Sequence, residues 1–470
     1  MRLTVIGTGY LGAVHAACMA DIGHEVLGVD IDADKIRALA DGRPPFFEPG
    51  LRQILTRNIG SGRLRFTTSL REAAEFGDVH FVCVGTPQQR DSLAADLRHV
   101  DAVIDALAPH LRRPCLIVGK STVPVGTTER LAARLTELLP DASAVEVAWN
   151  PEFLREGYAV HDTLQPDRLV TGVVSSHADE VLRAVYAPML EAGVPYISTD
   201  PATAELVKVA ANSFLATKIS FINAMAEVCD ASGADVVTLA DAIGHDTRIG
   251  RRFLSAGLGF GGGCLPKDIR AFTARARELG VDRAVAFLRE VDEINMRQRR
   301  RTVDIARELA GGTFTGRRVA VLGATFKPNS DDVRDSPSLA VAAAIHREGA
   351  EVCLHDPEGV DNARAVLPAL RYSPDVSTAC QDACLVLHLT EWSQYRKLDP
   401  VALAAVVRTP NVLDARNGLD AELWRSAGWT VRALGRPTPG RQPVHVTIPH
   451  AAGLGWAAPI DAGRLSLAPK

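Results

Sequence analysis

One cysteine stands where a sequence can build a nucleophile. Residues 257–268 read GLGFGGGCLPKD, with glycines at 257, 259, 261, 262 and 263, then Cys264, Pro266, Lys267 and Asp268. Glycines free the backbone for positive φ and for close approach to a ligand. Pro266 suits the first turn of a helix, and the run to Leu279 predicts that helix, stopped at Gly280. A thiol just ahead of a helix start feels partial positive charge, to which Lys267 adds, and its pKa is expected to fall. The other reading is a glycine-rich surface turn beside a buried cysteine.

Further groups with chemistry in them lie upstream. Asp200 to Gly233 predicts one long helix, capped among Ser198–Asp200, and Glu205, Lys208, Asn212 and Leu215 fall on one stripe of it. Lys208 and Asn212 interrupt an apolar region and need a partner; the alternative is a lysine that snorkels to a domain surface. Three polar clusters end apolar runs: Gly85-Thr86-Pro87, Ser121-Thr122-Val123-Pro124 and Asn150-Pro151-Glu152-Phe153-Leu154-Arg155-Glu156.

The elements that must position these groups begin at the N-terminus. RLTVI is a strand, Gly7-Thr8-Gly9-Tyr10-Leu11-Gly12 a glycine turn, and an alanine-rich helix runs to Ile22 before EVLGVD ends at Asp30. Strand, turn, helix and terminal acid together make a dinucleotide-binding unit, with the pyrophosphate at the helix start. Asp30 is placed for ribose hydroxyls and would repel a 2′-phosphate, which favours NAD over NADP. Lys35 either contacts the adenosine side or is an exposed helix lysine. Runs at 80–87, 115–122, 144–152 and 168–173 alternate with helical stretches, which predicts a parallel doubly wound sheet with ligands at its C-terminal edge. At Gly316 the pattern returns as RRVAVLGATFKP, a helix and EVCLHDP, followed by strands at 383–389 and 411–416. The loop Phe326–Pro337 holds Lys327, Asp331, Asp332, Arg334 and Asp335, suited to a nucleotide other than the first. The expected fold is α/β: two Rossmann-like doubly wound parallel-sheet domains (1–198 and 311–435) joined by a central long-helix domain (199–310). Residues 436–470, rich in proline and glycine, read as a flexible tail, and RQRRR within 281–310 as a solvated face.

Bulk composition narrows the class. A chain of 470 residues with 47% hydrophobic residues holds several domains. Its formal net charge of -4 and lack of a long basic run give no sign of nucleic-acid binding. MRLTVIG reads as a strand rather than a leader, and no apolar run reaches membrane-spanning length. Eight cysteines without a CxxC pair fit a reduced, cytoplasmic protein, and Cys380 and Cys384 read as core residues rather than metal ligands.

GTGYLG, VGTP, STVPVGTT, NPEFLREG, ELVKVAANSFLATKISFINAMAE, GFGGGCLPKD and FKPNSDDVRDSPS occur in an order that resembles the UDP-glucose/GDP-mannose dehydrogenase family over roughly residues 1–435. The resemblance implies an NAD domain, a central dimerisation domain, a nucleotide-sugar domain, and a homodimer. It also implies a four-electron oxidation of a sugar C6 alcohol to a carboxylate by two NAD⁺. Cys264 would form a thiohemiacetal and then a thioester. Lys208 and Asn212 would stabilise the oxyanion, Asp268 and Thr122 would hold a water, and Glu152 would serve as base for hydrolysis. Thr86, Glu156, Lys267 and Arg334 resemble cofactor contacts. Phe153, Leu154, Arg155, the loop Phe253-Leu254-Ser255-Ala256-Gly257, Gly261 and Lys327 resemble contacts to the sugar nucleotide. NPEFLREG followed by PDRLVTG looks most like the UDP-glucose branch, with GDP-mannose and N-acetylated UDP-sugars as rivals. Outside the family, a two-electron β-hydroxyacid dehydrogenase predicts no essential cysteine, and a catalytically silent nucleotide-sugar sensor needs no nucleophile.

Overall fold

Two sheets and a bundle of long helices make up the computed structural model, which describes residues 1–139 and 145–437. The first sheet holds β1 (Arg2–Ile6), β2 (Glu25–Val29), β3 (Leu64–Thr67), β4 (Val79–Val82), β5 (Cys115–Gly119), β6 (Val145–Trp149), β7 (Leu169–Gly172) and β8 (Tyr196–Thr199), in the order β3-β2-β1-β4-β5-β6-β7-β8. Central strands are apolar throughout because helices cover both faces: every residue of β4 and β5 is buried. The second sheet holds β9 (Arg318–Leu322), β10 (Glu351–His355), β11 (Arg371–Tyr372), β12 (Leu385–His388), β13 (Asn411–Asp414) and β14 (Thr430–Ala433), in the order β11-β10-β9-β12-β13-β14.

Two details depart from the expectation. Strands β3, β8, β11 and β14 have no strong apolar signal in the sequence, and all four are edge strands, which need fewer buried residues and carry more polar ones. The first sheet is also not wholly parallel: β7 meets β6 antiparallel, at Trp149 and Gly172. An antiparallel return needs no crossover along the sheet. Residues 150–168 therefore stay at the C-terminal edge, which keeps Glu152–Glu156 where ligands gather.

The central part is built on long helices beside those of the sheets. With α1 (Tyr10–Asp21) following β1 and α2 (Thr127–Leu138) following β5, the long α3 (Pro201–Ser232) starts at Asp200, whose carboxylate accepts from Thr203 N–H at 2.8 Å. It stops at Gly233 in the left-handed region (φ 79). Next come α4 (Leu265–Glu278) and α5 (Phe287–Leu309), and α6 (Pro337–Arg347) follows β9. Apart from Arg300, which is exposed and pairs with Glu293 on the same helix, the basic run on α5 is not a solvated face. Arg297 pairs with Glu227 at 3.0 Å, Gln298 donates to the Asn223 carbonyl at 2.9 Å, Arg299 reaches Asp335 at 2.8 Å, and Arg301 pairs with Asp230. These charges fasten α5 to α3 and to the loop after β9, so each has a partner that composition alone does not reveal. Of the expected tail, residues 438–470 lie outside the described residues.

Candidate active site

The turn after β1 has the shape of a pyrophosphate cradle. Gly7 has φ 91, and a Cβ on Gly12 would lie 1.8 Å from the Gly7 carbonyl oxygen, so the turn closes tightly only with glycine. A Cβ on Gly9 would meet nothing within 4 Å, and no side chain caps the start of α1. Open space and free N–H groups at a helix start suit an anion. Asp30 ends β2 and accepts from Thr8 N–H at 2.9 Å and from Lys35 Nζ at 3.0 Å. Burial works against its charge, but Lys35 and the backbone N–H groups of Asp32 and Thr8 prevail and hold the carboxyl below its ordinary pKa. Lys35 thus acts on Asp30. The corresponding turn after β9 is filled from within: the Asp356 carboxylate accepts from the N–H groups of Ala324 and Thr325 at 2.7 and 3.1 Å and from Trp392 Nε1 at 3.2 Å.

Facing this cradle, α3 and α4 bring together the groups around Cys264. The residue is the N-cap of α4, with Asp268 N–H donating to its carbonyl at 2.9 Å. Lys208 Nζ lies 3.0 Å from Glu152, and Asn212 Nδ2 donates to Asp268 at 2.7 Å. Burial opposes the charge on Lys208, but Glu152, then Cys264 and Asp268, outweigh it and the ammonium holds its proton more tightly than usual. Lys208 also stands 5.6 Å from the centre of the Phe153 ring, whose other approach is taken by Arg168 at 3.9 Å. The Thr122 carbonyl accepts from Thr86 Oγ1 at 2.8 Å, and Thr122 shares a cavity of about 20 Å³ with Lys267 and Asp268.

The cysteine corrects one expectation. Cys264 opens to solvent at the surface of a cleft, yet the protein around it removes most of its water, and this desolvation pushes the thiol up to about 11. Lys208 pulls the other way but is outweighed by that desolvation and by the nearby Asp268, Glu152 and Glu156 carboxylates. Lys267 instead pairs with Asp268 at 2.8 Å. The resting group is a thiol that must lose its proton as it reacts.

The glycines before it also serve another end. A Cβ at Gly257, Gly259 or Gly261 would meet Ala415 O at 2.8 Å, Asn295 Oδ1 at 2.3 Å or Asp335 O at 2.3 Å, and one at Gly262 the Phe326 ring at 2.8 Å. The segment is a buried seam between α5 and the loops of the second sheet. A Cβ at Gly263 would lie 2.6 Å from the Arg334 guanidinium, the far end of a side chain that can shift to admit it. Leu254 and Ala256 turn into the core with Ile222 and Ala226, while Phe253 and Ser255 are exposed.

Across the cleft, the loop after β9 closes on the first sheet. Arg334 reaches Glu156 at 3.2 Å and Asp332 at 2.7 Å. Burial raises the Glu156 carboxyl to about 7, with Asp332 adding to the rise and Arg334 opposing it. Lys327 is half-buried, and its loss of water lowers its pKa despite the pull of Glu156 and Cys264. Other expected contacts are engaged elsewhere. The Tyr10 hydroxyl donates to Glu48, Arg155 forms a double hydrogen bond with Asp162 at 2.8 and 2.7 Å, and the Leu154 side chain packs on the N-terminal core. The sequence reading missed a buried network at the root of Glu152: Lys120 Nζ donates to Asn150 Oδ1 at 2.8 Å, which also accepts from Tyr186 at 2.5 Å. A lysine closing an apolar strand was its one visible signal.

Comparison with known proteins bears on the whole arrangement. The UDP-glucose/GDP-mannose dehydrogenase family matches by its NAD binding domain at residues 1–190, its central domain at 202–297 and its UDP binding domain at 320–421. The chain belongs to that family. Within the family it is similar to the UDP-glucose 6-dehydrogenase of Rhizobium meliloti (strain 1021), 42% identical over 93% of this chain and 100% of the relative. The UDP-glucose 6-dehydrogenase of Pseudomonas aeruginosa is 41% identical over 94% of this chain and 98% of its own. Among solved structures, a UDP-glucose dehydrogenase from Pyrobaculum islandicum superposes with a TM-score of 0.83 at 40% identity, covering 91% of this chain and 98% of that one. A UDP-D-ManNAc dehydrogenase from Pyrococcus horikoshii gives 0.81 at 26% identity over 93% of this chain and 100% of that one. The family's cofactor is NAD, which the open cradle after β1 fits. No described helix is long and apolar enough to cross a membrane.

Proposed function

We propose that this chain oxidises C6 of UDP-glucose to the carboxylate of UDP-glucuronate with two NAD⁺. The observation that carries the reading is an accessible thiol at the start of α4, set among the Lys208–Glu152 and Asn212–Asp268 pairs between two nucleotide-fold sheets. A two-electron alcohol dehydrogenase has no use for that thiol. Bound NAD⁺ is the hydride acceptor for both oxidations, held at Gly7–Gly12 and Asp30, with Thr86, Thr122, Glu156, Lys267 and Arg334 completing its contacts. Phe153, the loop Phe253–Gly257, Gly261 and Lys327 serve the sugar nucleotide.

In the first oxidation the C6 hydroxyl loses its proton, and Lys208 with Asn212 stabilises the negative charge that builds on oxygen. Asp268 and Thr122 hold the water that carries the proton away. The C6 aldehyde stays in place while Cys264 sulfur adds to its carbon and the thiol proton ends on the new hydroxyl, giving a thiohemiacetal. Loss of the second hydride and of the hydroxyl proton leaves a thioester. Glu152 then takes a proton from water, whose oxygen attacks the thioester carbon and releases the carboxylate and the thiol. With burial pushing the thiol up to about 11, the proton leaves in the addition step.

We assign residues 1–198 to cofactor binding, 199–310 to the helical core and 311–435 to the nucleotide sugar. A homodimer through α3 is supported by Leu206, Phe214, Phe221 and Val228, exposed apolar residues along one face of the helix. A reduced, cytoplasmic setting is supported by eight free cysteines. A panel of nucleotide sugars assayed with NAD⁺, counting NADH per sugar consumed, tests the reading. Two per sugar with UDP-glucose preferred supports it, and one per sugar or a preference for GDP-mannose overturns it.

A further inference from the structure

Glu205 is buried (2% exposed) and belongs to neither ion pair of the site. It stands one helical turn before Lys208 on α3 yet turns away from it. One carboxylate oxygen accepts the Gly126 N–H at 2.7 Å, and the other accepts the Thr128 N–H at 2.7 Å and the Thr128 hydroxyl at 2.6 Å. These N–H groups belong to the start of α2, where Gly126 is left-handed (φ 95) and supplies no side-chain cap. A helix start leaves such groups without partners, and a carboxylate is their strongest acceptor. A residue of α3 therefore caps a helix whose second residue, Thr128, lies 77 residues earlier in the chain.

The segment that leads into α2, Ser121–Gly126, carries Thr122. It is tied to the first sheet by Ser121 Oγ, which donates to the Val84 carbonyl at 2.6 Å, and by Thr86 at the Thr122 carbonyl. From α4, Arg275 Nε donates to the Val125 carbonyl at 3.1 Å. The helices that carry Lys208, Asn212 and Asp268 thus both grip the turn just after Thr122. Between Thr122, Lys267 and Asp268 lies the cavity of about 20 Å³, walled also by Val209 of α3 and Arg275 of α4, large enough for one water. Its width depends on where the turn sits against the two helices.

We infer that Glu205 is a positioning residue for the oxidation: its cap on α2 sets Thr122 against Lys208, Asn212 and Asp268. The inference rests on the reaction proposed above. With its carboxylate committed to α2, Glu205 also leaves the Lys208 ammonium to Glu152, its partner on the other side.

The test uses Glu205→Ala, Glu205→Gln and Thr128→Val in the full chain. Turnover with UDP-glucose and NAD⁺ is normalised to NAD⁺-binding sites counted by titration, and melting temperature is followed in parallel. Glu205→Ala is expected to lower kcat per site about 10²-fold with KM for UDP-glucose shifted less than about threefold, as for a misplaced group. Glu205→Gln, which still accepts from one N–H, recovers part of kcat, and Thr128→Val, which loses one bond of three, gives a smaller drop. If the alanine variant does not fold, the other two decide. Scaffolding alone would lower the melting temperature and the number of sites but not kcat per site, so full kcat per site in the folded variants overturns the inference. A parent enzyme that makes no NADH from UDP-glucose overturns the reaction and the inference with it, whereas full activity in parent and variants overturns the inference alone.

Discussion

Lys208 on α3 and Glu152 beyond β6 form a buried ion pair at 3.0 Å, although 56 residues separate them in the chain. Removing either partner leaves the other charge uncompensated, which in a buried site costs about 3–5 kcal/mol. The pair also sets the electrostatics of the thiol, since Lys208 is the cation that most favours a thiolate at Cys264.

Alkylation of Cys264 should therefore track its raised pKa. At pH 7 iodoacetamide is expected to react roughly 10²-fold more slowly than with an ordinary thiol, rising about tenfold per pH unit towards pH 11. In Lys208→Met the rate at each pH falls further. A plateau near pH 8, measured by mass spectrometry of the labelled peptide, would contradict the raised pKa.

In the proposed mechanism Cys264 is the nucleophile, and replacing it separates binding from turnover. Cys264→Ser should bind NAD⁺ and UDP-glucose within about threefold of the parent while steady-state NADH production drops by at least about 10³-fold. Sustained formation of sugar acid by this variant would rule out the thioester route.

In the proposed function Asp30 sets the choice of cofactor. Asp30→Ala frees Lys35 from its 3.0 Å partner and removes the carboxylate that repels a 2′-phosphate. The KM for NAD⁺ should rise about tenfold, the worth of a charged hydrogen bond of 1.5–3 kcal/mol or somewhat less, and NADP⁺ should become a measurable substrate. An unchanged NAD⁺/NADP⁺ ratio of kcat/KM would take Asp30 out of that role.

Glu156 predicts a pH dependence of stability. Its pKa is raised from 4.5 to about 7 in the folded chain, mainly by burial, so the folded state binds more protons than the unfolded one across that interval. Stability from this group is full below about pH 4.5 and is lost as pH rises through about 7. In Glu156→Gln, denaturant midpoints should fall less between pH 5 and about 7.5 than in the parent. Parallel curves for the two proteins would show that Glu156 keeps its ordinary pKa.

The exposed stripe on α3 makes its own claim. Phe214, 66% exposed in one chain, should lie in the dimer contact, so Phe214→Glu is expected to shift sedimentation from dimer to monomer. A parent that sediments as a monomer refutes the homodimer.

Local pattern alone was enough for much of the architecture. Strand, glycine turn, helix and acid at residues 2–30 are a short-range code, and the helix from Asp200 to Gly233 carries its own start and stop signals. The same holds for the helix after Cys264 and for the repeat at Gly316. Edge strands β3, β8, β11 and β14 escaped because a strand buried on fewer sides needs less apolar sequence. The antiparallel join at Trp149 escaped because strand direction depends on a return path, not on composition.

The residue types of the site were legible too: Cys264, Lys208, Asn212, Asp268 and Glu152 each stood out as polar groups in an apolar or glycine-rich setting. Their pairings were not, since Lys208 had Glu205 one turn away and chose Glu152, while Glu205 went to the start of α2. Only the packed structure reveals that the glycines fit against Ala415, Asn295, Asp335 and Phe326, or that the arginines of RQRRR sit in ion pairs. The thiol's pKa follows the same rule. A helix start and a neighbouring lysine are visible in the chain and argue for a low value. The desolvation and carboxylates that push it up to about 11 come from residues distant in sequence, and burial is a property of the fold.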